Sequence, residues 1–245
     1  MVSKVRANAQ QVKAAMRQYG DRVMKHALPL ALTLTARDAE KDVRKVLPET
    51  FDRPTPYTMK STFVRPATRT DPRAWIGFRD AYDKGTSAAQ YLLPNVEGGM
   101  RRLKRSEVQL RTARILPTGM YAVPGEEAEI DAYGNMRRGQ MVKILSFLRV
   151  SVDPTLNRSR TRASRGKRRK ESYFVAKPNN RQGLPPGIYR RDGADPRPVV
   201  IFVRPPSYRP RFRFYEIIER SVKANFKRRF AEALQQVSRN LASPR

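Results

Sequence analysis

A chain of 245 residues, 39% apolar and 30% charged, is long enough for a packed core and carries charge well beyond what a core holds. Its 51 Lys and Arg against 22 Asp and Glu leave a formal net charge of +29, so nucleic acid is the expected neighbour and an anionic membrane surface the weaker alternative. The lack of cysteine excludes disulfides, thiolate metal sites and cysteine nucleophiles, and with His26 the only histidine the usual zinc ligand sets cannot be built.

The N-terminus, MVSKVRANAQQVKAAMRQYG, is polar and basic, with neither the apolar stretch of a signal peptide nor that of a membrane span. Val5, Ala9, Val12, Met16 and Tyr19 recur at three and four, which predicts a helix over 3–20. Pro29 interrupts ALPLALTLTA (27–36) and is expected to kink or restart the helix. A second helix over about 30–47 follows and stops at Pro48, so residues 1–50 read as an N-terminal helical segment. From Phe51 the pattern changes. YTMKSTFVRPATRTDPRAWIGFRD (57–80) predicts strands at about 58–65 and 73–80, joined through Pro66, Thr70, Asp71 and Pro72 into a hairpin with a long connection.

Short helices are predicted next: one after residue 85, ended by Gly98-Gly99, one over about 101–115, and one over about 137–149. Between the last two lie an acidic patch, Glu126, Glu127, Glu129 and Asp131, and a turn at Gly134-Asn135. A loop over about 153–172 precedes strands at 173–177, 187–191 and 198–204, which are separated by turn compositions. PPSYRPRFRF (205–214) reads as extended, its aromatics anchoring the entrance of the last helix, about 212–242, to the sheet. In that helix Phe214, Ile218, Val222, Phe226, Phe230 and Leu234 step by four, continued by Val237 and Leu241, a stripe that wraps around the helix. The expected fold is α+β: a small antiparallel sheet of about five strands, bracketed by long N- and C-terminal helices, with short helices inserted. Residues 51–245 are expected to form this core and the whole chain one structural unit.

Catalytic equipment is missing from the sequence. There is no G-x-S-x-G elbow, Walker A loop or G-x-G-x-x-G fingerprint. GIY at 187–189 matches half of a nuclease signature without its second half, and reads as a strand start after Pro186. The acidic patch fits a solvated loop, a divalent cation site, or a contact with a basic surface of a neighbouring subunit. No catalytic residue, metal or cofactor is expected, and the chain is not read as an enzyme.

The densest feature is NRSRTRASRGKRRK (157–170), with Arg158, Arg160, Arg162, Arg165, Lys167, Arg168, Arg169 and Lys170 and no acid. No aromatic lies within it, so stacking on bases has no platform there. Contact with phosphate, blind to sequence and steeply salt-dependent, is one reading; a solvated loop and a nuclear address are the others. RRLKR (101–105) is read as the solvated face of a helix.

FDRPTPYTMKSTFVRPAT (51–68), GTSAAQYLLPNVEGGMRRLKR (85–105), ILPTGMYAVPG (115–125), DAYGNMRRGQMVKILSFL (131–148) and the stretch from LPPGIYRR to the last helix (184–234) resemble a family of tailed-phage and prophage virion morphogenesis proteins. The C-terminal part resembles the lambda Z tail-completion proteins, through a basic middle, a short sheet and a helical end of the type FKRRF…AL. The resemblance implies a minor structural protein of the virion neck or tail, made in the bacterial host cytoplasm. It would form a homo-oligomeric ring around the DNA channel, next to portal, adaptor or tail-tube proteins, with no membrane partner. It supplies no active-site residue. In such a ring the stripe from Phe214 to Leu234 would serve both the fold and a neighbouring subunit, and the basic run would meet packaged double-stranded DNA. A free, non-specific nucleic-acid-binding protein, DNA-compacting or ribosomal-like, is the alternative reading.

Overall fold

In the computed structural model, which describes residues 1–7, 9–80, 86–157, 172–192 and 195–242, the two long terminal helices lie against each other. The chain divides into two compact units, Met1–Gly98 with Arg209–Arg245, and Gly99–Tyr208. This replaces the expected single unit of a helical segment 1–50 ahead of a core 51–245. The N-terminal helix shares its core with the C-terminal one, and the middle of the chain packs on itself. The α+β class, the antiparallel pairing and the long end helices are as expected, but the strands form sheets of three, two and four where one sheet of about five was foreseen.

In the first unit, β1 (Val2–Val5), β2 (Thr62–Arg65) and β3 (Ala74–Phe78) form an antiparallel sheet in the order β1-β3-β2. β1 takes the first residues of the predicted helix, because Val2–Val5 pairs antiparallel with Gly77–Ala74 of β3, a distant partner that overrides the helical spacing of the two valines. Helix α1 (Ala9–Thr50) breaks at Gly20, whose φ of 79° is open to glycine, and not at Pro29, which lies inside the helix. Packing explains why Pro29 is tolerated: around it Met24, Ala27 and Ala31 are buried against Ala233, Leu234 and Val237 of α6 (Phe214–Ala242). Further along, Leu32, Ala36, Ala39, Val43 and Leu47 of α1 share one cluster with Ile76 and Phe78 of β3 and with Ile217 and Ile218 of α6. Polar bonds fix the helix register. Asp38 accepts two hydrogen bonds from Arg229, at 2.6 and 2.9 Å, and Asp42 accepts one from Ser221 Oγ at 2.6 Å. The Arg229 bonds hold the Asp38 carboxyl below the ordinary carboxylate range. Two short helices, α2 (Pro56–Met59) and α3 (Ala88–Glu97), complete this unit.

The entrance to α6 is built as the sequence suggested. Phe212 and Phe214 are fully buried, Phe212 edge-on to Phe51 at 5.5 Å and Phe214 5.4 Å from Phe78. The stripe beyond them serves the fold. Phe214, Ile218 and Leu234 are buried in this unit, and Val222, Phe226 and Phe230 pack half-buried against the same clusters. A step of four winds around the helix, so the stripe meets α1 in part and leaves Val222, Phe226 and Phe230 partly exposed.

The second unit holds β4 (Gly99–Met100), α4 (Arg105–Thr112), β5 (Tyr121–Pro124), α5 (Arg138–Leu148), β6 (Ser172–Ala176), β7 (Gly187–Asp192), β8 (Asp195–Val203) and β9 (Ser207–Tyr208). β5-β8-β7-β6 form an antiparallel sheet and β4-β9 a small ribbon. Leu110 of α4 and Ile144 and Leu145 of α5 pack on Tyr173, Ile188, Val200 and Phe202 of the sheet. The ladder slips between Ile188 and Tyr189, which pair with Val200 and Pro198, and Val199 is left over. Pro198 has no N–H to donate, so a bulge falls where the ladder is already interrupted.

One buried carboxylate ties α4 to its neighbours. Glu107, fully buried, accepts from both terminal nitrogens of Arg101 at 2.7 and 2.6 Å, from Lys104 N at 2.6 Å and from Ala122 N of β5 at 2.8 Å. RRLKR is therefore not wholly a solvated face: Arg101 lies over the Tyr121 ring at 4.6 Å and belongs to this node, while Arg102, Lys104 and Arg105 are exposed.

Candidate nucleic-acid interface

The second unit carries 24 Lys and Arg against 9 Asp and Glu, and 8 of those cations fall within residues 158–170. These eight, Arg158, Arg160, Arg162, Arg165, Lys167, Arg168, Arg169 and Lys170, lie outside the described residues. The residues from which they depart are well tied. On one side Asp153 caps a 3-10 turn, Pro154–Leu156, through Thr155 N at 2.9 Å. Ser146 of α5 donates to Leu156 O at 2.5 Å, and Ser151 N donates to Asn157 Oδ1 at 3.1 Å. On the other side Ser172 opens β6 directly beside Arg191 of β7.

The sheet end that receives the run is rich in arginine. Arg190 of β7 stands opposite Arg197 of β8, and Arg191 lies over the Phe174 ring at 5.3 Å. Two like charges directly opposite would repel. Glu127 resolves this by accepting from Arg190 at 2.6 Å and from Arg197 at 2.9 Å. The acidic patch is thus partly used within its own unit. Asp131 closes the Gly134-Asn135 turn, accepting from Tyr133 N and Asn135 N at 2.9 Å each, and those backbone bonds lower its carboxyl. Among the described residues no cluster of three or more His, Cys, Asp or Glu has the geometry of a metal site. No helix there is long and apolar enough to cross a membrane.

At this end of the sheet Arg190 and Arg197 share the Glu127 carboxylate. The run adds eight cations and no acid to the unit. Sequence reasoning found the run but not its setting, since Glu127 lies 63 and 70 residues from its two arginines and no local pattern joins them. For Glu107 a signal existed: it is the third residue of its helix and folds back to the Lys104 amide, the reach expected of a capping-box glutamate.

No protein-family model, no curated protein and no solved structure matches this chain.

Proposed function

We propose that the chain is a structural protein of a tailed-phage virion, present in several copies as a ring at the neck or tail top that joins head to tail around the DNA exit channel. One observation carries the reading: eight cations without an acid, in thirteen residues, depart from a small sheet unit in which Arg190 and Arg197 already share the Glu127 carboxylate. Such a run offers charge to phosphate and no means of reading bases, which suits holding or steering a duplex of any sequence. The phage-like phrases of the sequence support the same reading and give it its place in the virion.

Changing Arg165, Lys167, Arg168, Arg169 and Lys170 together to Ala is expected to leave the far-UV circular dichroism unchanged and to weaken duplex binding. The slope of log K against log salt should flatten by about 0.9 for each phosphate that the variant no longer neutralises. An unaltered slope would show that the run does not touch phosphate.

A further inference from the structure

The three-stranded sheet of the first unit has a second face that no described element covers with apolar packing. Side chains two apart along a strand share a face. The register places Val2, Gly77 and Phe63 in one row across the sheet and Lys4, Trp75 and Arg65 in the next, all on the side away from Val5, Ala74 and Ile76, which are buried under α1. Phe63 and Trp75 are half-buried and belong to none of the apolar clusters, while Lys4 and Arg65 are exposed.

Two features shape this face. A Cβ at Gly77 would come within 3.0 Å of the Phe63 ring and of Val2, and within 2.7 Å of Met1 O. The bare backbone at Gly77 therefore lets the Phe63 ring lie close over the sheet, diagonally next to Trp75. The second feature is charge. The Lys4 ammonium stands 4.4 Å from the centroid of the Trp75 ring. Arg73 bonds to Asp71, the acid of the β2–β3 connection, and this bond, with Arg65 and Lys4 nearby, holds the Asp71 carboxyl below the ordinary range. Three cations thus gather around one carboxylate, beside two aromatic rings.

We infer that this face binds unpaired nucleotides of a single-stranded nucleic acid, with bases stacking on Phe63 and Trp75 and phosphates held by Lys4, Arg65 and Arg73. Rings interleaved with cations on an open sheet are the chemistry of a sequence-tolerant single-strand platform. A duplex keeps its bases stacked inside and offers phosphate alone. Lys4 is a flexible, exposed side chain, and a phosphate that draws its ammonium away uncovers the Trp75 ring. This surface lies in a different unit from the basic run and differs from it in what it recognises.

Trp75 is the only tryptophan, so its fluorescence reports this face in the intact protein. Titration with a twelve-residue oligothymidylate is expected to quench it, whereas a duplex of equal length and inorganic polyphosphate bind without quenching. Phe63→Leu should weaken the quenching interaction by roughly 5- to 150-fold, the worth of one base stack. The variant with five Ala in the basic run should keep the quenching, which separates this inference from the proposed function. Saturating oligothymidylate, followed by anisotropy of a labelled strand, with Trp75 emission unchanged would overturn it. So would equal quenching by polyphosphate, or quenching by an acidic peptide alone, which would make the face a protein contact.

Discussion

Glu107→Ala is expected to cost about 3–5 kcal/mol of the stability of the Gly99–Tyr208 unit, the loss typical when one member of a buried ion pair is removed. The carboxylate is fully buried and accepts from Arg101 twice, from Lys104 N and from Ala122 N. Without it the Arg101 guanidinium, only 14% exposed, loses its counter-charge, and the Ala122 amide of β5 loses its acceptor. Urea unfolding followed by circular dichroism gives the magnitude, and faster hydrogen exchange at the Ala122 amide locates it. Glu107→Gln should lose less, because its carbonyl still accepts. Burial alone would raise the Glu107 carboxyl, but the Arg101 bonds and the two backbone amides prevail and lower it. Its folded value therefore lies under the unfolded one, about 4.3. The stability it contributes is present above that value and is lost as the pH falls through the folded one. Glu107→Ala should lack this part of the acid dependence.

Phe212→Ala should destabilise the other unit by about 3–5 kcal/mol, the usual loss for a buried phenylalanine. Its ring is fully buried among Phe51, Phe78 and Phe214, with centroids 5.5, 6.1 and 6.1 Å away. It fills the place where the chain enters α6, and a cavity there separates that entrance from β3. Next to it, Arg213→Ala should change stability by less than about 1 kcal/mol, since Arg213 and Glu216 form an exposed pair at 3.3 Å. Urea unfolding followed by Trp75 emission, which reports the same unit, distinguishes the two.

Much of this architecture was legible residue by residue. The last helix declared itself through its step of four, and the strands near 173–177, 187–191 and 198–204 through β-branched and aromatic runs between turn residues. What stayed hidden depends on distant partners. β1 is a strand because β3, some seventy residues later, pairs with it. β4 and β9 are two residues each and exist only as a pair. Gly20 breaks α1 where Pro29 does not, because the buried alanines around Pro29 hold that stretch against α6. The basic run was plain from composition, whereas the aromatic face was not: Phe63 and Trp75 are twelve residues apart and meet only through the register of the hairpin and the space left at Gly77.

The stripe on α6 has a further consequence for assembly. Phe214, Ile218 and Leu234 are buried within the chain itself, so in a ring Val222, Phe226 and Phe230 of the stripe would present part of their surface to a neighbouring subunit.

Purified virions that encode the chain test the central claim most directly, through the number of copies per particle and their position in an electron-microscopy map of the neck. The proposal predicts a fixed copy number and density at the head–tail junction surrounding the DNA path. Particles that lack the chain, with the protein recovered from soluble extract on ribosomes or chromosome, would contradict it.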